Sequence, residues 1–249
     1  MNLILLEPAA LDDGRATLEG AQARHAVDVL RVAPGQDIRV GVIDGAIGTG
    51  RVTRVETDRV ELQCTLGEVP PEPDVDLLLA LPRPKVMRRL WAQLAALGVG
   101  RIIVTNAARV ERNYFDTHVL DPEFYRPLLL EGLQQAQDTR LPRVSIHRRF
   151  RPLVEDELDA RSSADLRLVA HPSTEAAAIG GAWPPAAARV LLAVGPEGGW
   201  DDFELGLLSE RRFRVVSLGA RTLRADTACV ALLAALRAGR DVRGSARVL

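Results

Sequence analysis

Residues 190–200 read Val190-Leu191-Leu192-Ala193-Val194-Gly195-Pro196-Glu197-Gly198-Gly199-Trp200. The first five are apolar without alternation, the pattern of a strand covered on both faces. A glycine and a proline end it at once. Asp201 and Glu204 then fit a capping box that opens a helix over Asp201–Glu210. A covered strand that feeds a helix in this way is one unit of an α/β sheet, whose ligands gather at the carboxyl ends of the strands. The three glycines leave backbone N–H and C=O groups open to such a ligand.

The same pattern extends on both sides. Val75–Leu81 (VDLLLAL), Arg101–Thr105, Leu166–Ala170 and Phe213–Leu218 read as further strands. Val86, Leu90, Leu94 and Leu97 recur at helical spacing before Gly98, a C-cap signal. Pro122–Gln137 and Thr227–Arg237 read as helices. These strands and helices predict a parallel sheet covered on both faces. The first 70 residues differ. Asp37–Val42, Thr49–Val55 and Arg59–Thr65 alternate apolar and polar residues, as half-buried strands do. A short helix over Gln22–Leu30 interrupts them, and a small barrel would remove their edges. Val69–Pro73 is proline-rich without a period and reads as a linker. The expected domains are 1–70 and 74–249.

Composition narrows the function. Hydrophobic residues at 47% and charged residues at 26% exclude disorder over most of the 249 residues. No apolar run approaches the roughly 18 residues of a membrane span, so no membrane partner is expected. The N-terminus lacks the basic start and core of a signal peptide. Cys64 and Cys229 stand far apart, which points to a reducing cytoplasm rather than a disulfide framework. The four histidines have no metal-ligand spacing, so no metal is expected. No P-loop or Gly-x-Ser-x-Gly elbow is present. Gly45-x-x-Gly48-x-Gly50 precedes a strand pattern, which makes it a turn and not a dinucleotide fingerprint.

The charge is uneven beneath a net of -1. Lys85 is the one lysine among 32 basic residues. Residues 1–70 carry 7 basic and 11 acidic residues, against 25 and 22 in residues 71–249. Arg83 to Arg112 holds seven basic residues and one acidic, and Arg140 to Arg151 holds five arginines and no acid. Arginine forks suit phosphate and base recognition. Aromatic residues at 4% exclude a broad stacking platform for single strands.

A second stretch, Ser217-Leu218-Gly219-Ala220-Arg221-Thr222-Leu223-Arg224-Ala225-Asp226-Thr227-Ala228, leaves a strand through Gly219 and enters the last helix, with Asp226 as a candidate cap. With these residues in hand, the chain resembles the SPOUT methyltransferases, and within them the bacterial 16S ribosomal RNA uridine-N3 methyltransferase family. Gly195–Trp200 matches that family's Gly-Pro-Glu-Gly-Gly-aromatic motif. Ser217–Ala228 matches its Ser-Leu-Gly-x-Arg-Ile-Leu-Arg-x-Glu-Thr-Ala motif, with Thr222 for Ile and Asp226 for Glu. His25, Val29, Leu30 and Arg31 match a His-x-x-x-Val-Leu-Arg signature. Glu131, Gln134 or Gln135, Arg140 and Pro142 fit a looser helix-end pattern. Leu81–Lys85 departs from the usual Lys-Gly-Asp-Lys, and Ala96-Leu97-Gly98 from Glu-Leu-Gly.

The resemblance implies an α/β fold: a C-terminal SPOUT-type, six-stranded-type parallel sheet with a trefoil knot, preceded by a small PUA-like β-barrel that serves as an RNA-binding domain. It implies S-adenosyl-L-methionine as cofactor, 16S ribosomal RNA in a structured or assembled small subunit as partner, and a homodimer. The candidates to hold the cofactor are Leu81, Val194, Gly195, Gly198, Gly199, Leu218, Gly219 and Leu223. Arg224 is the first candidate to stabilise charge on the uracil, Arg221 the second, and Glu197 the candidate proton acceptor. RNA contact falls to His25, Arg31, Arg109, Arg112 and Arg140, although a histidine on a short helix is more often packed. The competing readings are a ribose 2′-O methyltransferase of the same fold, a noncatalytic RNA-binding ribosome-assembly factor, and a small-molecule α/β enzyme.

Overall fold

The computed structural model describes residues 3–173, 176–184 and 187–245. The chain forms two compact units, one of residues up to Glu72 with Leu130–Leu141, the other of Pro73–Leu129 with residues from Pro142 onward.

The first unit contains β1 (Ile4–Leu6), β2 (Leu11–Asp12), β3 (Arg15–Glu19), α1 (Gly20–Arg24), β4 (Asp37–Val42), β5 (Ile47–Val55) and β6 (Arg59–Leu66). The strands hydrogen-bond in the order β1-β4-β5-β6-β3-β2. β1 runs parallel to β4, and the other pairs are antiparallel. Alternation along β4, β5 and β6 turns Ile38, Val40, Val52, Val60, Leu62 and Cys64 inward, against Leu18, Ala23 and Ala26. β1, β2 and β3, of three, two and five residues, join the three strands expected from alternation, and each is shorter than any of those. α1 begins two residues before the expected helix and changes to a π turn over His25–Val29. The glycine cluster serves strand packing: a Cβ on Gly48 would fall 2.1 Å from the Thr65 carbonyl oxygen.

Residues 130–141 complete this unit. The Leu3 N–H donates to the Gln134 carbonyl at 3.4 Å, and the Asp44 N–H to that of Thr139 at 2.8 Å. The Thr139 hydroxyl donates to the Gly45 carbonyl at 2.6 Å. The boundary between the units therefore falls inside the helix over 122–136, not only at the proline-rich coil.

The second unit is built on β7 (Val75–Ala80), α2 (Pro84–Ala96), β8 (Val99–Thr105), α3 (Pro122–Ala136, up to Leu129), β9 (Arg143–His147), β10 (Leu166–Ala170), β11 (Ala177–Ala178), β12 (Val190–Val194) and β13 (Phe213–Ser217). A helical segment begins as α4 (Phe150–Pro152), widens to a π turn over Leu153–Glu157 and ends as α5 (Leu158–Arg161). α6 (Asp202–Glu210) precedes β13, and α7 (Ala225–Ser245) follows it. All seven strands are parallel, in the order β11-β13-β10-β12-β7-β8-β9. β12 and β7 lie side by side near the middle and are buried along their whole length.

The helices cover this sheet through apolar stripes. Val86, Leu90 and Leu94 with Met87 and Trp91 form the buried face of α2. Pro84 occupies its first turn, where the missing N–H costs nothing. Gly98 ends it at φ +69°, which glycine tolerates best. One charge lies within the buried strands. Asp76 in β7 is fully buried and accepts from the Ser162 hydroxyl at 2.7 Å and the Arg189 guanidinium at 3.1 Å. Burial pushes its carboxyl above the ordinary carboxylate range, against the pull of both partners.

Candidate functional site

Strand register brings the two informative stretches together. Ala170 at the end of β10 is level with Val194 of β12 on one side and Val216 of β13 on the other. The loops leaving these three strands wall a cavity of about 350 Å³. Val194, Gly195, Glu197, Gly198 and Gly199 line one side, and Leu218, Gly219, Arg221 and Leu223 another. Leu218 and Leu223, each 38% exposed, bring apolar surface to the lining. Gly199 and Gly219 sit at φ +71° and +108°, conformations that side chains resist.

The loops are pinned from behind. The expected capping box is present: Asp201 Oδ1 accepts from the Glu204 N–H at 2.8 Å, and Glu204 Oε2 from the Asp201 N–H at 3.0 Å. Glu204 is buried, and its Oε1 also accepts from the Ala108 N–H at 2.7 Å. That bond holds the loop after β8, and the next residue, Arg109, donates to the Gly198 carbonyl. A Cβ on Gly198 would fall 2.9 Å from Arg109 Cδ, so a glycine lets the arginine lie across the loop. Arg109 thus lines the cavity. Glu197 is exposed, and its Oε1 accepts from the Arg83 N–H at 3.1 Å, at the entry to α2.

Other candidates fall outside the cavity wall. Leu81 is buried, and its N–H donates to the Thr105 carbonyl at 2.9 Å. Arg224 is exposed and directly precedes α7, where its carbonyl accepts from the Ala228 N–H at 2.7 Å. Arg224 and not Asp226 therefore holds the cap position. Asp226 lies in the first turn, accepting from the Thr227 N–H at 3.0 Å and from Arg89 at 2.6 Å. The Arg89 hydrogen bond holds its carboxyl below the ordinary range. Cys229, one turn on, is buried, and its thiol is pushed up to about 12 by that burial. A thiol so placed is no nucleophile.

The candidate RNA contacts are spread. Arg112 is exposed at the start of a 3₁₀ turn over Arg112–Asp116. Arg31 is exposed at φ +51°, where the helical stretch of the first unit ends. Arg140 is already engaged, donating to the Pro70 carbonyl at 2.8 Å and pairing with Glu72 at 2.8 Å. His25 is exposed, against the expectation of packing, because Ala23 and Ala26 take the inward positions. It lines a second cavity, within the first unit.

His171 lines the first cavity without having been a candidate. It directly follows β10, and the rule that picked out the ends of β12 and β13 applies to it equally. Its Nδ1 is buried without a hydrogen-bond partner. Among the described residues no group of His, Cys, Asp and Glu could hold a metal ion, and no helix is long and apolar enough to cross a membrane.

Comparison with known proteins shows the family. The chain is 28% identical over 252 residues to the ribosomal RNA small subunit methyltransferase E of Treponema pallidum (strain Nichols), covering 96% of this chain and 91% of the relative. It is 27% identical to the protein of the same name from Synechocystis sp. (strain ATCC 27184 / PCC 6803 / Kazusa), over 94% of this chain and 77% of the relative. The crystal structure of a ribosomal RNA small subunit methyltransferase E from Neisseria gonorrhoeae bound to S-adenosyl methionine has a similar fold. Its TM-score is 0.78 at 24% identity, over 95% of this chain and 97% of that one. An RNA methyltransferase PUA domain model matches residues 18–63. The model for the RNA methyltransferase domain matches residues 70–237, about two thirds of the sequence, and the chain belongs to that family.

Proposed function

We propose that the protein transfers a methyl group from S-adenosylmethionine to N3 of a uridine in 16S ribosomal RNA. The carrying observation is the convergence of the 194–199 and 218–223 loops on one cavity at level strand ends. The names of the two relatives support the small-subunit RNA as substrate. The cavity volume falls within the usual range for a small-molecule site.

The lining fits the cofactor chemically. Bare glycine backbone suits polar edges, Val194, Leu218 and Leu223 offer apolar surface for a base, and Arg221 offers a positive charge for the carboxylate of an amino-acid tail. When bound, S-adenosylmethionine supplies a methyl group on a positively charged sulfur. The protein's part is to hold the acceptor and manage its proton. Uracil N3 is a weak nucleophile until it loses that proton, and the charge then spreads over O2 and O4. Arg224, exposed beside the cavity, is assigned to stabilise that charge, as preorganised donors stabilise an oxyanion. Arg221, on the wall, is assigned to the cofactor. Glu197 Oε2 accepts no hydrogen bond among the described residues and is assigned the proton. Fixed alignment of acceptor and methyl group supplies much of the rate.

The trefoil knot, the homodimer, a cytoplasmic location and an RNA-holding role for the PUA domain belong to the same proposal. Calorimetry with S-adenosylmethionine, then nucleoside mass spectrometry of 16S ribosomal RNA after incubation with protein and cofactor, tests it. The expected product is 3-methyluridine. A ribose-methylated product would favour the 2′-O reading, and absence of cofactor binding would favour a noncatalytic factor.

A further inference from the structure

The second cavity has no part in methyl transfer. It measures about 350 Å³ and lies wholly within the first unit. Gln22 and His25 come from α1 and the π turn that follows it, Glu131, Gln134 and Gln135 from the end of α3, and Ile4 from β1. Positions 131, 134 and 135 share one helical face, so all three side chains reach the same space. The Gln22 amide nitrogen donates to the Leu5 carbonyl at 2.8 Å, which fixes the amide and leaves its oxygen as an acceptor. The side chains of His25, Glu131, Gln134 and Gln135 make no hydrogen bond among the described residues. A cavity whose polar walls are unengaged is suited to a ligand that brings its own donors and acceptors.

The chemistry of the wall selects that ligand. A phosphate is disfavoured, because Glu131 lines the cavity and no arginine or lysine does. The unit around it carries 8 basic and 14 acidic residues, a net of −6. A hard cation would find one carboxylate. A purely apolar ligand would take water from His25, Glu131, Gln134 and Gln135 and give them no partner. A neutral, planar ligand with donors and acceptors along one edge meets every condition. Carboxylate and amide side chains are those that pair with base edges, and an imidazole can stack on a base.

We infer that this cavity takes a single unstacked nucleobase of the RNA substrate, with Glu131 accepting from its N–H groups and Gln134 or Gln135 completing the edge. The inference rests on the RNA reading proposed above. It divides the labour between the units. The acidic unit reads a base, while phosphate contacts fall to the second unit, whose 24 basic and 19 acidic residues give a net of +5.

The test is binding of the full chain to protein-free 16S ribosomal RNA, or to small ribosomal subunits if the wild type prefers them, across a potassium chloride series. Glu131→Gln and Gln134→Ala are each expected to weaken binding on the order of tenfold. The slope of log affinity against log salt should stay at the wild-type value, whereas Arg112→Ala, at an exposed arginine of the second unit, should reduce it by about one. Glu131→Gln is the telling variant. It removes a negative charge, so a site that merely sits near phosphates would bind more tightly. Tighter or unchanged binding by Glu131→Gln, or a reduced slope in the pocket variants, overturns the inference. Should either variant unfold on heating below the wild type, the exposed Gln135→Ala gives the same reading. A wild type that methylates RNA while every pocket variant binds normally defeats the pocket alone. A wild type that binds neither RNA nor subunits defeats the proposed function with it.

Discussion

Two residues separate Arg221 from Arg224, and the arginines meet different surroundings. Arg221 lines the cavity, while Arg224 stands outside its wall at the start of α7. Arg224→Ala is therefore expected to lower turnover on the order of 10²–10³-fold, the usual effect of losing one charge-stabilising donor, with cofactor affinity nearly unchanged. Arg221→Ala should reverse the pattern. Calorimetry with S-adenosylmethionine beside a methyl-transfer assay separates the two, and normal turnover of Arg224→Ala would remove it from the chemistry. Asp226 supports a different expectation. Its carboxyl is held below the ordinary range by Arg89, so its contribution to stability is complete above that range and is lost as pH falls through the lowered value. Asp226 is mostly covered but Arg89 is half exposed, so the pair is worth roughly 1 kcal/mol or less. Urea unfolding should show Asp226→Asn weaker than wild type at neutral pH and equal to it in acid. The sequence marked both arginines through their place after a strand. It could not distinguish them, because which side chain faces the cavity depends on where the turn at Gly219 sends the chain.

Among the elements, α6 and α7 each contain a glycine, and their surroundings are opposite. On Gly239 of α7 an added Cβ would fall 1.8 Å from the carbonyl oxygen of Gly180, in the 3₁₀ turn Ile179–Gly181. On Gly206 of α6 it would meet nothing within 4 Å. Gly239→Ala should destabilise by about 1–3 kcal/mol or more, since backbone must move to admit the methyl group. Gly206→Ala should stabilise by up to about 1 kcal/mol through helix propensity. Thermal unfolding of the two variants checks both signs, and equal behaviour would show that α7 can shift off the turn at little cost. The same elements show what patterning reveals. β7 and β12 were legible because burial on both faces leaves apolar residues at every position but Asp76, and α6 because its capping box is local. β9 was not, since an edge strand has one neighbour and β9 exposes Ile146. The segment from α4 to α5 was hidden by its brevity and its π turn. Nor could any local pattern announce that residues 130–141 pack with the first 72, because that is a long-range choice made by hydrogen bonds such as Asp44 to Thr139.

For the molecule as a whole, net charge was a poor guide until it was divided. A total of -1 conceals −6 on one unit and +5 on the other. RNA affinity is expected to fall steadily as salt rises, measured by filter binding, with a slope set by the arginines of the second unit. A flat response would count against phosphate contact altogether. The interleaving of the two units carries a consequence for how the protein is made. A ribosome delivers the strands of the first unit early, yet the unit stays unfinished until residues 130–141 emerge. By then β7, α2 and β8 of the second unit are already outside, and β7 is waiting for β12, its missing neighbour in the sheet. The cavity comes later still, because its wall includes Leu232 of α7. Domains commonly fold in order of synthesis, but here the first unit can close only after part of the second has emerged. A nascent chain should remain unable to close this cavity until Leu232 has left the tunnel, so that shorter nascent lengths hold no ligand there.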